Sequence, residues 1–254
     1  QRVKGIALSA TDGGNGGAVV VDISEGFVAD IGENPVAVAY DNAVTEHADE
    51  KAPVVESSRI DYNTGILTIT VDETVDATPA TLVKLNLFDL HQTEYGDTVT
   101  INLDGATTTE ADDALGVHDV IIQLTELQRA SAIAVSSTPG GGGDVAVVLN
   151  IGATGLRDIA QNEVVEVSSL AVAETSDTTK PLVLTATLNY GTRVLVVTCS
   201  ETIDTTPSSY VALEEFNIVS STGESVGAVN LDGAEVVEGD DSIGNTFTVT
   251  LTEV

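Results

Sequence analysis

The feature that most constrains this chain is that it matches itself from end to end. Gln1-Arg2 returns as Gln128-Arg129, a spacing of 127, and Ala29-Asp30-Ile31-Gly32-Glu33-Asn34 returns as Arg157-Asp158-Ile159-Ala160-Gln161-Asn162, a spacing of 128. The glycine cluster Gly13-Gly14-Asn15-Gly16 returns as Gly140 to Gly143, and Pro53 as Pro181. Asp72-Glu73-Thr74-Val75-Asp76 returns as Ser200-Glu201-Thr202-Ile203-Asp204, and Asn102-Leu103-Asp104-Gly105-Ala106 as Asn230-Leu231-Asp232-Gly233-Ala234. A fixed period of this kind marks tandem units that contact mainly their sequence neighbours.

Val254 stands where Leu127 precedes Gln128, so the chain is expected to begin and end in mid-repeat, as a window on a longer array. The rival expectation is a permuted domain whose two chain ends meet to complete one unit per subunit. Unit boundaries are expected at Ala48-Asp49-Glu50-Lys51-Ala52-Pro53 and Ser176-Asp177-Thr178-Thr179-Lys180-Pro181, where polar residues precede a proline that opens the next strand. The chain then divides into the C-terminal part of one unit (1–51), a complete unit (52–179) and the N-terminal part of the next (180–254).

Within one unit, β-branched runs alternate with turn residues at the intervals of a β-sandwich. The expected strands are 54–60, 65–71, 83–89, 97–103, 117–124, 144–151 and 163–173. In 65–71, Leu67, Ile69 and Val71 alternate with Thr68 and Thr70, which places the aliphatic residues inward and the threonines in solvent. Asp61-Tyr62-Asn63-Thr64-Gly65 and Asn189-Tyr190-Gly191-Thr192 read as hairpin turns. Residues 125–134 read as one short helix capped by Thr125, with Leu127, Ala130 and Ile133 or Ala134 on its buried face. The fold class is all-β, in tandem units of about seven strands and one short helix.

Charge and composition exclude several functions. With 9 Lys+Arg against 40 Asp+Glu, the net charge is −31, unsuited to nucleic acid or an anionic membrane surface. No apolar run is long enough to span a bilayer, and Gln1-Arg2-Val3-Lys4 opens no signal-peptide core. Catalysis has little to work with. His47, His91 and His118 face Thr175, Val219 and roughly Asn245 in the other copy, so none is repeated. The single cysteine, Cys199, takes the place of the inward-facing Val71 and reads as a small buried hydrophobe. Neither zinc-ligand spacing nor a nucleophile elbow is present, and the chain is expected not to be an enzyme.

The combination of Asp-x-x-x-Asn at 30–34 and 158–162, Asp-Thr-Thr-Lys-Pro at 177–181 and Leu-x-Val-x-Cys-Ser-Glu-Thr-Ile-Asp at 195–204 resembles the Ig-like tandem repeats of large bacterial surface adhesins. It is similar also to repeats of cyanobacterial surface proteins needed for swimming, and to arrays in surface proteins of marine microbes including diatoms. In the first copy the linker reads Asp49-Glu50-Lys51-Ala52-Pro53, and Asp72 replaces Ser200. The resemblance implies tandem Ig-like β-sandwiches in an extracellular or cell-surface rod or filament, often stiffened by Ca²⁺ where domains meet.

Ca²⁺ takes six to eight oxygen ligands from carboxylates, amides and carbonyls, which this chain concentrates near its expected joints. The candidate ligands are Asp30, Asp49, Glu73 and Asp76 at the first joint, and Asp158, Asp177, Glu201 and Asp204 at the second. The competing reading is solvated acidic turns whose oxygens satisfy backbone N–H groups without a metal. The expected function is a segment of an extracellular filament, stalk or surface appendage. Its expected partners are neighbouring repeats and other copies of itself in a fibre, packed laterally or exchanging strands. The alternative is a surface adhesin or binding module that recognises glycan or protein through loops at one end of each sandwich.

Overall fold

The computed structural model describes residues 1–94, 97–109, 117–220, 227–237 and 244–253. The N-terminal part carries helix α1 (Arg2–Leu8) and a hairpin of β1 (Val20–Ile23) and β2 (Ala39–Ala43). The middle unit follows with β3 (Val55–Asp61), β4 (Ile66–Val75), β5 (Phe88–Glu94), β6 (Asp97–Asn102), the two-residue β7 (Thr107–Thr108), β8 (Val117–Gln123), helix α2 (Glu126–Val135), β9 (Val148–Ile151) and β10 (Val167–Thr175). The C-terminal part repeats its first half as β11 (Val183–Asn189), β12 (Val194–Cys199), β13 (Asn217–Ile218), β14 (Val229–Asn230), β15 (Glu235–Val237) and β16 (Thr246–Thr250).

In the middle unit eight strands join in one curled sheet, ordered β6-β5-β9-β10-β3-β4-β8-β7. Strand β10 produces the curl by changing partners along its length. Its first residues, through Ala171, pair antiparallel with β9, and from Val172 to Thr175 it pairs parallel with β3. The enclosed core holds Tyr62, Leu67, Ile69, Phe88, Leu90, Ile122, Leu149 and Leu156 together with Ala132 of α2.

Local chemistry explains the elements. The β3–β4 turn closes because Gly65, at φ +68°, donates to the Asp61 carbonyl, while Asp61 Oδ1 accepts from the Asn63 N–H at 2.9 Å. Helix α2 starts at a capping box, the Thr125 hydroxyl accepting from Gln128 N–H and the Gln128 side chain from Thr125 N–H. Gly140 to Gly143 wrap its end, and a Cβ on Gly141 would come within 2.2 Å of the Ser136 carbonyl, a space only glycine fits.

Three expectations need correction. Residues 80–82 and 85–87 form two 3-10 turns and the strand starts only at Phe88, and from this irregular segment Val83, Leu85 and Leu87 still reach the core. Helix α2 buries Gln128, Arg129 and Ala132 and exposes Leu127. Ile133 packs against the core as expected, while Gln128 and Arg129 replace Leu127 on the buried face, drawn inward by their hydrogen bonds. Thr68, expected in solvent, is buried between Arg59 and Ile121, its partners on the strands either side.

Candidate functional site at the joints between units

The repeat places a carboxylate on the inward face at the end of a core strand. Leu67, Ile69, Val71, Glu73 and Val75 alternate inward along β4, and Glu73 is 2% exposed. Around Glu73 lie Asp49 of the linker and Asp158 of the loop after β9, with one carboxylate oxygen from each all within 4.8 Å of one another. Asp158 is held by its own loop, accepting from the Asn162 backbone N–H at 2.7 Å and from its side-chain amide at 3.0 Å. The same amide donates to the Asp49 carbonyl at 2.9 Å and ties linker to loop.

The cation among these carboxylates is Arg2, from α1 of the preceding unit. Its Nη2 donates to Asp49 and to Glu73 Oε2 and lies 3.9 Å from Asp158 Oδ2. The Glu73 hydrogen bond contributes most to holding the Arg2 guanidinium in its charged form. Lys51 pairs with Asp72 and stands 3.8 Å from Glu73 Oε1. Backbone packing completes the joint: a Cβ on Gly13 would come within 1.9 Å of the Ile159 carbonyl, so the glycine loop allows the units to touch.

The second joint repeats the plan with Arg129. Its Nη1 donates to Asp177 Oδ2 at 2.6 Å and to the Tyr62 carbonyl at 2.9 Å, and its Nη2 to Glu201 Oε2 at 3.2 Å. Glu126 grips the same guanidinium through both oxygens at 2.8 Å and accepts from the Thr202 N–H at 2.7 Å. One buried cation thus joins helix, linker and next unit. These contacts, the Glu126 hydrogen bond first, hold Arg129 firmly protonated. Burial pushes the Glu126 carboxyl up, but hydrogen bonds from Arg129 and Thr202 outweigh it, leaving the group below the ordinary glutamate range. Glu201 is shifted upward, by burial first and by the neighbouring charge of Asp177 second.

The structure therefore groups the eight sequence candidates differently from the order in which they occur. Asp49, Glu73 and Asp158 meet at the first joint, and Asp177 and Glu201 share Arg129 at the second. Asp30 accepts from Asn34 in an exposed loop outside either group. Asp76 pairs with Arg157 at 3.2 Å, and Asp204 accepts from the Thr206 N–H at 3.0 Å. Sequence reasoning passed over Arg2, Lys51, Glu126 and Arg129. The signal for two of them was present: Gln-Arg recurs in register in a chain with only 9 Lys+Arg.

A glutamate oxygen is left over at each joint. Glu73 Oε1 and its counterpart Glu201 Oε1 are buried without a hydrogen-bond donor. Cys199 is buried in the C-terminal core, where desolvation raises its thiol above the ordinary range. No helix among the described residues is long and apolar enough to cross a membrane. No family model and no curated protein sequence matches the chain.

Proposed function

We propose that this chain is a load-bearing segment of an extracellular or cell-surface filament, stalk or appendage built from tandem Ig-like β-sandwich repeats. On this reading it works as a rod rather than as a catalyst. The observation that carries this reading is the joint. Arg129, 7% exposed, is bonded at once to its own helix, to the linker and to the next unit, so bending the joint strips partners from a buried charge. Separating such groups is costly where water does not replace the lost contacts. Arg2, one repeat earlier, makes the corresponding contacts to linker and next unit, Asp49 and Glu73, with half of its side chain in solvent.

Strand order supports the Ig-like part of the proposal. Divided at the parallel β10–β3 contact, the sheet becomes β3-β4-β8-β7 and β10-β9-β5-β6. Numbered from the start of the unit, these are the first, second, sixth and fifth strands against the eighth, seventh, third and fourth. That matches the ABED and GFC faces of an immunoglobulin sandwich with an added C′ strand.

Ca²⁺ at the joints is a further part of this reading. Asp49, Glu73 and Asp158 are the hard oxygen donors such an ion takes, and Glu73 Oε1 among them accepts no hydrogen bond, with Lys51 Nζ 3.8 Å away. The ion would neutralise carboxylates that outnumber the local cations. Small-angle scattering on the chain tests the whole. A rigid elongated particle that becomes flexible on Arg129→Ala is expected, and a flexible particle in the unaltered chain would overturn the proposal. Chelator should lower the melting temperature if Ca²⁺ shares the joint, and an unchanged value removes the ion but leaves the rod.

A further inference from the structure

We infer that the middle unit carries a binding pocket for a carboxylated sugar, a uronate unit of an acidic polysaccharide, between its 3-10 segment and the loop after β9. The inference goes beyond the rod reading and does not depend on it.

The pocket has a volume of about 250 Å³, and its lining includes Thr81, Lys84, Thr154, Arg157, Gln161 and Glu163. Backbone contacts tie its walls together. The Lys84 N–H donates to the Gly155 carbonyl at 3.0 Å, the Asp76 N–H to the Arg157 carbonyl at 2.8 Å, and Arg157 bridges to Glu163 across the loop. The site is therefore formed before a ligand arrives, which spares the cost of ordering it. Its size falls below the roughly 300–1,000 Å³ of drug-sized ligand sites and suits one sugar ring. No aromatic residue lines it among the described residues, so recognition falls to charge and hydrogen bonds.

The placement of cations singles this pocket out. Residues 52–179 contain four, Arg59, Lys84, Arg129 and Arg157, and two of them face it. Arg157 is oriented by Asp76, which accepts from its Nη2 at 3.2 Å, while its Nε has no acceptor. Lys84 makes no ion pair among the described residues, with Glu163 or any other carboxylate. Neither cation serves the shared scaffold. Ala212 and Ala29 stand at the corresponding positions, and Glu33 and Pro35 correspond to Gln161 and Glu163. Arg2 and Arg129, which build the joints, recur in register instead.

The mixture of signs selects the ligand class. A carboxylate between Lys84 and Arg157 forms charge-assisted hydrogen bonds. Glu163 needs a donor, and Thr81, Thr154 and Gln161 pair with donors or acceptors. A uronate presents a carboxylate and hydroxyls on one ring and meets both demands. A neutral sugar leaves the cations unmatched, and a bare anion such as sulfate sets charge against Glu163 with nothing to donate to it. The net charge of −31 repels an anionic polymer at long range. The contact therefore operates at an ionic strength of about 0.15 M or more, where charges beyond about 8 Å are screened.

Titration of the full chain at that ionic strength with galacturonate, galactose and inorganic sulfate, followed by backbone amide NMR shifts, tests the assignment. Galacturonate is expected to give saturable shifts centred on Lys84, Gly155 and Gln161. Galactose and sulfate should bind about tenfold more weakly or less, each forfeiting a charge-assisted hydrogen bond or leaving Glu163 unpaired. Lys84→Ala, which installs the residue type found at 212, should weaken galacturonate by about tenfold with the melting temperature unchanged. Absence of galacturonate binding, shifts centred elsewhere, or Lys84→Ala binding like the parent would each overturn the inference. Galactose or sulfate binding as tightly as galacturonate would also overturn it, the latter marking a bare anion site.

Discussion

Residues 52–124 and 180–253 build corresponding strands from corresponding residues, yet the core of the first is closed and that of the second open. In the closed region Ile60, Tyr62, Phe88 and Leu90 are all buried to within 1%. Their counterparts Leu188, Tyr190, Phe216 and Ile218 are half-buried or exposed, although β11–β12 and β13–β14 keep the registers of β3–β4 and β5–β6. The hairpins therefore follow from local sequence, whereas closing the core depends on β9 and β10. Single hairpins are marginal by themselves, and a further layer of strands makes them a domain.

The sharpest way to break this comparison is to truncate the same ring in both regions. Phe88→Ala should destabilise the middle unit by about 3–5 kcal/mol, as expected for a fully buried aromatic. Phe216→Ala, whose ring meets Phe247 edge-on at 6.0 Å beside an open groove, should cost less than roughly half of that. Urea unfolding read by circular dichroism decides it, and equal costs would show that the open region is as well packed as the closed one.

The two arginines give the next largest contrast. Arg129→Ala leaves the partly buried Asp177 and Glu201 without their cation and should cost about 2–3 kcal/mol. Arg2→Ala removes a guanidinium whose side chain is half in solvent, and should cost about 1 kcal/mol or less. Calorimetric melting compares them directly.

Smaller effects test the charge balance within the second joint. Glu126 is held below the ordinary glutamate range, so it adds stability that is present above its unfolded pKa and is lost as pH falls through the folded value. Glu126→Gln should therefore lower the melting temperature at pH 7 and make little difference in acid. Glu201 is shifted upward, so the sign reverses: its contribution is present below the unfolded pKa and is lost as pH rises through the folded one. Glu201→Gln should leave neutral-pH stability unchanged or raised, and a loss as large as that of Glu126→Gln would contradict the assignment. Smallest of all, Arg193 occupies at φ 62° the position that Gly65 holds at 68°. Arg193→Gly should stabilise the C-terminal hairpin by up to about 1 kcal/mol in the same melts.

Much of the fold was legible because it is encoded locally. Alternation along 65–71, the Asp61–Gly65 turn and the Thr125 cap are decided by residues within reach of one another, and these elements form where the pattern puts them. The strand at 83–89 was misplaced because aliphatic residues packed from 3-10 turns look like a strand in sequence. At the site, the acidic side was readable and the basic side was not. A carboxylate at the end of an alternating run is conspicuous, but that Arg2 and Arg129 turn inward toward it depends on how helix and linker are stacked.

By itself, the sequence determined the internal repetition, the β character and most strand positions, because period, alternation and turn chemistry act over a few residues. Only the tertiary structure decided that Asp158 belongs with Glu73 and Asp49, that arginine is the cation between units, and that β9 and β10 close the core. Those outcomes depend on pairing residues distant in the chain, Arg129 with Asp177, Arg2 with Glu73, Asp49 with Asp158 and Ser58 with Val172. No local rule encodes such contacts, since they form only when complementary surfaces exclude water together.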